Sequence, residues 1–329
     1  MERRTRRFDF FGFAALAIGV GALQLMLDRG GEVDWFNSAE IWIELAISLC
    51  GFWVFVIWIM GVEHPFLDPG MFADRNFSTG LVFIFIVGIV LLASLALLPP
   101  MLSGIFGYPV MTVGMVMAPR GVGTMITMMA AGKLVRVVDP RKLVVTGLGL
   151  TSLSLYIMTG CGPQMDATPI IVSGLVQGFG LGLVFVPLST VAFATIEARF
   201  RGDATALFSL VRNIGSSIGI SIVTLLLTRN TQINHAELAQ SISALDPNFS
   251  ELMSGSMGSA LKMMTLNYGE GAFWRVVNQI VTAQAAMIGY VDDFKAMMWV
   301  TLGAIPLALL LRRPVAAPAG REVPAVHAD

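Results

Sequence analysis

The sequence predicts an all-α transmembrane fold with about eight membrane-spanning helices, and three observations lead to this prediction. Hydrophobic residues make up 55% of the chain and charged residues only 13%, with a mean hydropathy of +0.75. A soluble domain carries roughly 25% charged residues, so lipid must solvate much of this chain. The second observation is a series of long apolar segments, and the third is an uneven distribution of lysine and arginine between the loops that join them.

Each apolar segment comes close to or exceeds the roughly 20 residues that a helix needs to cross a bilayer. The first one follows a cluster of arginines, as a signal peptide would. Its apolar run is too long for that reading, and no small-x-small cleavage site precedes Asp28. The predicted spans are Phe10–Leu27, Ile41–Met60, Ser78–Leu98, Tyr108–Ala131, Leu143–Gly160, Pro169–Ile196, Ala204–Leu227 and Gln284–Leu311.

The basic residues predict the orientation of these spans. When the N-terminus is placed in the cytoplasm, the cytoplasmic segments hold 14 lysines and arginines, the outer segments hold four, and three fall inside spans. Cytoplasmic loops carry such an excess in multi-pass proteins. The asymmetry predicts an even number of spans in the inner (plasma) membrane, with both termini in the cytoplasm.

The loops differ in character. Gly61–Phe77 predicts a short amphipathic connector along the cytoplasmic interface. Residues 228–283 form one long outer segment, polar at first and then partly amphipathic, with room for a short helix or two. The tail from Pro314 is rich in proline, alanine and valine, which predicts a disordered segment.

Several function classes find no support in the sequence. It contains no phosphate-binding glycine-rich loop and no metalloprotease or serine-hydrolase motif. Cys50 and Cys161 lie in or beside apolar runs, and His64, His235 and His327 lie far apart. We therefore expect no enzyme activity, no metal and no cofactor. The net charge of −1 gives no reason to expect a nucleic-acid partner.

Glycine and proline mark two of the spans for close packing and bending. Glycine recurs every four residues in the sixth span and once more in the seventh, which strips side chains from one face and lets another helix approach. A proline within a span removes a backbone donor and bends the helix, either as part of a gate or as a static feature. The packing residues are Gly174, Gly178, Gly182, Gly215 and Gly219, and the prolines are Pro119 and Pro187.

Polar residues at membrane depth are the candidates for a translocation path. An ionisable group in lipid is costly, so it faces a cavity or a partner. The seventh span carries an arginine among serine, asparagine and threonine residues at helical spacing, which predicts a polar stripe along one face. A structural role for the arginines, bonded to carbonyls or reaching the interface, stays open. The candidates are Arg212, Asn213, Ser209, Ser216, Gln177 and Arg120.

Carboxylates are scarce at the same depth. No Asp or Glu lies deep in the core of a predicted span, and Asp292 and Asp293 lie one to two turns inside the outer end of the last one. A proton-coupled pump needs a protonatable group, and arginine stays charged. We expect neither aspartate to be the coupling group.

Several long stretches of the sequence carry a family resemblance. Ala206–Asn230 reads ALFSLVRNIGSSIGISIVTLLLTRN, and it resembles the drug:proton antiporter family with fourteen spans. That family is a branch of the major facilitator superfamily that includes the EmrB and QacA types. The further stretches that agree, in the same order as in the family, are Phe8–Ser38, His64–Phe77, Gly107–Ile126 and Gln177–Thr190.

The resemblance implies a division of the chain. Residues 1–77 resemble the extra pair of helices that links two six-helix bundles, together with a cytoplasmic connector. Residues 78–313 resemble the complete C-terminal six-helix bundle, built from inverted three-helix repeats, and 314–329 form the tail. The segment GKLVRVVDPRK resembles the cytoplasmic loop motif of the superfamily, with Arg136 where an acidic residue is usual. Its matching or substituting residues are Gly132, Asp139 and Arg141.

The resemblance also implies a function. It suggests multidrug efflux by proton antiport, with hydrophobic or cationic small molecules as substrates and the lipid bilayer as surroundings. The family's first six spans have no counterpart here, so we expect the chain to be incomplete without an N-terminal bundle and not to pump alone. The alternative is a non-transporting remnant or an assembly partner of a split transporter. A periplasmic adaptor protein is a further expected partner, with 228–283 as the docking segment.

Overall fold

The computed structural model describes residues 9–62, 67–162, 165–197, 200–241 and 270–310, and helices dominate these ranges. No strand occurs within them, so the predicted all-α class is confirmed. Some residues used in the predictions lie outside these ranges, namely the four arginines before residue 8, Arg199 and the tail from Pro314. The long helices are α1 (Phe10–Arg29), α2 (Ala39–Gly61), α3 (Arg75–Gly104), α4 (Val110–Leu134), α5 (Pro140–Thr159), α6 (Thr168–Ala194), α7 (Arg201–Ser241) and α8 (Glu270–Ala304).

Eight long helices thus correspond to the eight predicted spans. Six of them, α1, α2, α3, α5, α6 and α7, are long and apolar enough to cross a membrane. The other two carry charged side chains in their middle parts, Arg120 on α4 and Asp292, Asp293 and Lys295 on α8. All eight belong to one packed bundle. The number of long helices therefore agrees with the predicted number of spans, whereas length and apolar character alone select six of them.

Most helices end within a few residues of the prediction, but three extend well beyond it. α3 continues through Pro99 and Pro100 to Gly104. α7 runs past Leu227 to Ser241, and α8 begins at Glu270 instead of Gln284. The predicted outer segment 228–283, which had room for a short helix or two, thus begins and ends in continuations of α7 and α8. Residues 242–269 lie outside the described part of the chain. At 1.5 Å per residue α7 is about 61 Å long, roughly twice the thickness of a bilayer core.

Aspartate caps fix the beginnings of three helices on one side of the bundle. The carboxylate of Asp74 accepts the backbone N–H groups of Asn76 and Phe77 at the start of α3, at 2.8 and 3.0 Å. Asp9 accepts from Gly12 at the start of α1, and Asp139 caps α5. A side-chain oxygen at this position satisfies one of the free donors of a helix start. We call this side, where the odd-numbered helices begin, the capped side.

The bundle interior consists of two apolar clusters, one toward each side. The cluster at the capped side joins the first half of α3 to the last part of α6, and Phe77, Phe83 and Leu188 are among its buried residues. The cluster at the opposite side contains Leu155 and Phe294, among others. The connector before α3 also joins the capped-side cluster, through the buried side chains of Leu67 and Met71.

The first two helices form a pair at the edge of the bundle. A β-carbon on Gly51 of α2 would lie 2.7 Å from the Cα of Gly19 on α1, so the backbones touch there. The Ser48 hydroxyl donates to the Gly19 carbonyl at 2.9 Å. The pair contacts α7 through two serine hydroxyls, Ser217 donating to Gln24 and Ser221 to the Leu27 carbonyl. Most of α2 faces outward from the bundle.

Candidate functional site

An open groove of about 890 Å³ runs along α4. α4 supplies most of its wall, and α3, α6 and α7 supply the rest. Its surface is largely apolar, with a methionine-rich part on α4 and two arginines. We call it the α4 groove, and it is lined by Leu91, Leu95, Gly114, Met117, Ala118, Arg120, Gly121, Thr124, Met125, Met128, Leu181, Phe185 and Arg212.

Arg120 belongs to a polar network that joins α3, α4 and α6. Its side chain is only 6% exposed. The Nη2 atom donates to the Leu91 carbonyl at 3.1 Å and to the Ser94 hydroxyl at 3.2 Å, both on α3. Gln177 on α6 donates to the same Ser94 oxygen at 3.1 Å. The Nη1 atom has no hydrogen-bond partner among the described residues. Among the described residues, therefore, only neutral acceptors contact the guanidinium.

The glycines of α6 hold the backbone of α4 in place at this arginine. A β-carbon on Gly178 would lie 2.2 Å from the Arg120 carbonyl oxygen, and one on Gly182 would lie 2.7 Å from the β-carbon of Thr127. Gly174 is one turn away, where a β-carbon would be in ordinary contact with Arg120 at 3.6 Å. The glycine face predicted on this helix is thus the face that contacts α4.

Arg212 is fixed in a similar way from the other side of the groove. A β-carbon on Gly88 of α3 would lie 2.4 Å from the Arg212 carbonyl oxygen. The buried Ser216 hydroxyl donates to that same carbonyl at 2.8 Å and to the Gly88 carbonyl at 3.3 Å. The guanidinium lies over the Phe185 ring, 5.7 Å from its centroid. Such an arginine–aromatic contact is attractive, and it directs Arg212 toward the groove.

The glycines of α7 continue this contact with α3. A β-carbon on Gly215 would lie 2.4 Å from the Phe85 carbonyl oxygen, and one on Gly219 would lie 2.5 Å from the Ile89 carbonyl oxygen. Both distances are far below any normal contact. The two glycines therefore allow α3 and α7 to touch along the two turns that follow Arg212.

The other polar residues of α7 do not join Arg212 in the groove. Ser216 packs against α3, Asn213 is exposed and Ser209 is half-buried, and none of the three is among the groove-lining residues. Thr224 lines a separate cavity of about 620 Å³ between the end of α1 and α7. The polar residues predicted to form one stripe thus lie in different surroundings. The spacing placed these residues near one another on the helix, but α3 covers part of that surface.

The remaining predicted residues lie at some distance from the groove surface. Pro119 is half-buried inside α4 immediately before Arg120, and Pro187 is buried inside α6. The loop-motif residues lie at the capped side: Gly132 is exposed near the end of α4, and Asp139 caps α5 by accepting the backbone N–H of Arg141 at 3.1 Å. These positions fit structural roles in the helices that build the groove.

Two residues of the site escaped the sequence analysis. Ser94 joins Arg120 to Gln177, and Phe185 supports Arg212. Ser94 is the only hydroxyl residue in the otherwise apolar run from Gly80 to Leu98. A lone polar side chain in such a run was a signal that could have identified it. Phe185 gave no signal, because one aromatic residue in an apolar helix is ordinary.

Asp293 is a buried carboxyl group in the opposite-side half of the bundle. It has no exposed surface, and neither of its oxygens has a hydrogen-bond partner among the described residues. Its neighbour Asp292 is exposed and pairs with Lys295 at 3.3 Å. The expectation that neither aspartate is the coupling group treated the two alike, but of the pair only Asp293 is fully buried.

The fold and groove define a class, the multi-pass membrane proteins with a solute-sized groove inside a helical bundle. The sequence profile of the Major Facilitator Superfamily matches residues 7–220. The chain belongs to this superfamily, and the predicted resemblance is confirmed.

Two individual relatives within this superfamily match most of the chain. The chain is 29% identical over 322 residues to the multidrug export protein EmrB of Escherichia coli K12, covering 97% of this chain and 62% of that protein. It is 29% identical over 307 residues to the fatty acid resistance protein FarB of Neisseria gonorrhoeae, covering 93% of this chain and 59% of that protein. The chain thus spans about three-fifths of the length of these relatives.

A solved structure shares the fold. A bacterial homologue of the human lysosomal transporter Spinster, in an inward-facing and occupied conformation, superimposes with a TM-score of 0.55 at 17% identity. The match covers 91% of this chain and 64% of that one. The family and these relatives are membrane transporters, which is compatible with the expectation that the chain is not an enzyme.

Proposed function

We propose that the chain forms part of an exporter that moves hydrophobic small molecules across the inner membrane by proton antiport. The α4 groove is the observation that carries this proposal. It offers an apolar wall with two fixed arginines, within the size range of about 300–1,000 Å³ that is usual for small-molecule sites. Fixed polar groups in an apolar wall orient a ligand without requiring one chemical structure.

A second six-helix bundle is the proposed partner across the groove. The groove is open on one side, and transporters of this architecture bind their substrates between two bundles that rock about a midplane site. The relatives EmrB and FarB are longer than the matched region, which supplies length for such a bundle. Whether it belongs to the same polypeptide or to another subunit does not change the proposed geometry.

Asp293 is the proposed proton-binding group of this chain. Ionisable residues inside a membrane bundle mark proton and ion pathways, and Asp293 is buried without a hydrogen-bond partner among the described residues. A carboxylate in such a place is costly unless a proton or a donor reaches it. This assignment revises the expectation that neither aspartate of α8 is the coupling group.

The substrates are proposed from the groove and the relatives together. EmrB is named for multidrug export and FarB for fatty acid resistance, and fatty acids have a long apolar chain. The apolar wall of the groove fits the hydrophobic part of either class.

An efflux assay tests the proposal with the gene at its own chromosomal locus, so that every segment and partner subunit stays in place. Cells are loaded with a hydrophobic dye, and its release is followed after energisation and again after a protonophore collapses the proton gradient. We expect deletion of the gene to slow release, and Asp293→Asn to slow it to the same degree.

Asp292→Asn is the matched control, because this side chain is exposed and one position away. It should leave the release rate close to wild type. Dye release that is unaffected by gene deletion, over several dyes, would contradict the export function. Release that survives Asp293→Asn would contradict only the assignment of the proton site.

The far end of α7 and α8 is the proposed docking site for a periplasmic adaptor. Residues 228–241 and 270–283 extend these helices away from the capped side, and His235 and Asn278 hydrogen-bond across them at 2.9 Å.

We place the capped side and both termini in the cytoplasm. Reporter fusions at the two termini, with cytoplasmic activity at both, would support this orientation, and periplasmic activity at either would contradict it.

A further inference from the structure

The cavity of about 620 Å³ between the end of α1 and α7 is separate from the α4 groove. We propose that it binds the head group of an aminophospholipid, with the ammonium group at the carboxylates that follow α1 and the phosphate at Arg229. The bound lipid joins the α1–α2 pair to the rest of the bundle. The inference goes beyond the proposed function, because it concerns another cavity and a ligand that stays in place instead of being exported.

The depth of the cavity in the bilayer is the first argument for a lipid. The first predicted span ends at Leu27 and the seventh at Leu227. Apolar lining residues such as Leu225 lie before these ends, whereas Asp28 and Arg229 lie just beyond them. The cavity therefore crosses the boundary between the hydrocarbon layer and the head groups, and its wall changes from apolar to charged at that boundary.

The charges in the wall select the kind of head group. Asp28, Glu32 and Asp34 line the cavity together with a single basic residue, Arg229. An anionic head group would meet three carboxylates, whereas a zwitterionic one offers an ammonium group to them and a phosphate to the arginine. A primary ammonium has three N–H donors, as the lysine side chain has, and a choline group has none. Phosphatidylethanolamine is therefore the lipid that fits best.

Some of these groups have no partner within the described part of the chain. The side chains of Glu32 and Arg229 form no hydrogen bond or ion pair there. Arginine presents paired donors that match the oxygens of a phosphate. Trp35 also lines the cavity, and its indole N–H is buried without an acceptor among the described residues. A buried donor in this state is costly, and the ester and phosphate oxygens of a lipid are acceptors of the type it lacks.

The other two carboxylates are held in place by their own neighbours. Gln24 donates to both oxygens of Asp28, at 2.9 and 3.0 Å. Asn37 donates to Asp34 at 2.8 Å. A carboxylate can accept about four hydrogen bonds, so both groups keep capacity for an ammonium donor. Little side-chain order is thus lost when the head group binds, which favours binding.

The position of the cavity gives the lipid a structural role. The Ser221 hydroxyl donates to the Leu27 carbonyl at 2.9 Å, and both residues line the cavity. This hydrogen bond is one of the contacts between the α1–α2 pair and α7. A lipid that contacts Glu32 after α1 and Arg229 on α7 adds a second connection at the same place.

A titration with three lipids of identical acyl chains separates head-group recognition from general lipid binding. The full-length protein is purified with whatever subunits accompany it and stripped of lipid in detergent. Dioleoyl phosphatidylethanolamine, phosphatidylcholine and phosphatidylglycerol are added in turn, and native mass spectrometry measures the affinity for the first bound molecule. We expect phosphatidylethanolamine to bind about tenfold more tightly than phosphatidylglycerol, the equivalent of about 1.4 kcal/mol, with phosphatidylcholine between them.

Two variants test the carboxylates directly. Glu32→Gln removes an exposed charge without a described partner, so folding should be unaffected, and phosphatidylethanolamine should bind about threefold more weakly. Adding Asp34→Asn keeps a residue type that tolerates the left-handed backbone at this position, where φ is 61°. The double variant should bind the three lipids within about twofold of one another. Glu237→Gln, at an exposed carboxylate farther along α7, is the matched control and should keep the wild-type preference.

Equal affinity of the wild type for the three lipids, or a preference for phosphatidylglycerol, would overturn the proposal. A preference for phosphatidylethanolamine that persists in the double variant would overturn it as well. Soluble phosphoethanolamine provides the last test. If it displaces the lipid at concentrations near the lipid affinity, the cavity is a site for a small solute and the assignment to a lipid is wrong. Failure of millimolar phosphoethanolamine to displace the lipid supports the assignment.

The outcome is independent of the efflux assay. Selective, Glu32-dependent binding of phosphatidylethanolamine in a protein that exports no dye would contradict the proposed function and keep this inference. Dye export by a protein that binds the three lipids equally would do the reverse.

Discussion

The contact between Gly178 and Arg120 leads to a prediction about the stability of the bundle. Gly178→Ala places a β-carbon 2.2 Å from the Arg120 carbonyl oxygen and 2.9 Å from the Thr124 backbone nitrogen. A relaxed contact needs about 1 Å more, and both nearest atoms belong to backbone, so the α4 and α6 backbones must separate. Overpacking of this kind costs about 1–3 kcal/mol.

Gly149→Ala is the matched control, because nothing lies within 4 Å of the position of its added β-carbon on α5. Both changes gain the same helix propensity, about 1 kcal/mol. That gain cancels in the comparison, so the Gly178 variant should be about 1–3 kcal/mol less stable than the Gly149 variant. For a soluble domain of 150–250 residues each kcal/mol shifts the melting temperature by about 2–4 °C.

Cys161 provides the assay. It is a free and buried thiol, whereas Cys50 is exposed. In a Cys50→Ser background a thiol-reactive dye therefore reports unfolding in detergent through Cys161. We expect the Gly178 variant to melt several degrees below the Gly149 variant. Equal melting temperatures would refute the argument that the two backbones are in contact at Gly178.

Three further predictions use other contacts. Ser94→Ala leaves one donor of Arg120 and one of Gln177 without their shared acceptor, so it should cost about 1–3 kcal/mol by the same melting assay, while Ser103→Ala at an exposed hydroxyl should cost nothing measurable. Asp9→Ala removes the cap of α1 and the acceptor of the Trp58 indole N–H; it should cost about 1 kcal/mol and speed hydrogen exchange in the first turn of α1, and Asp9→Asn should restore most of the protection. Burial raises the pKa of the Cys161 thiol, just beyond the end of α5, to about 11, so its alkylation rate in the Cys50→Ser background should keep rising between pH 9 and 11. Because the folded pKa lies above the unfolded one, the stability contributed by the neutral thiol should fall over that interval, and it should not fall in a Cys161→Ala variant.

The sequence was sufficient for the class of fold and for the number of long helices, because apolar length and the distribution of basic residues both follow from the bilayer. It was poor at helix ends. The segment after Leu227 is polar but remains a good helix former, so hydropathy reports where α7 leaves the apolar layer and says nothing about where the helix stops. The third predicted span ends at Leu98, whereas α3 continues through Pro99 and Pro100 to Gly104.

The site was predictable only where a residue type limits the possible environment. An arginine in an apolar helix must find a polar place, so Arg120 and Arg212 were identified from the sequence. Their partners were not, because Ser94 and Phe185 lie on other helices and become neighbours only through tertiary packing. The helical spacing that grouped Ser216 with Arg212 was real, but spacing cannot show that α3 covers one side of α7.

The length of α7 means that a small tilt of this helix moves its far end by several ångströms. One uninterrupted helix runs from Arg212 in the groove to Ser241 at its far end, a distance of about 44 Å at 1.5 Å per residue. A tilt of about 5° at the level of the groove moves the far end by about 4 Å along this length. A tilt of α7 at the groove would therefore be seen as a displacement of Ser241, on the side of the bundle opposite the caps.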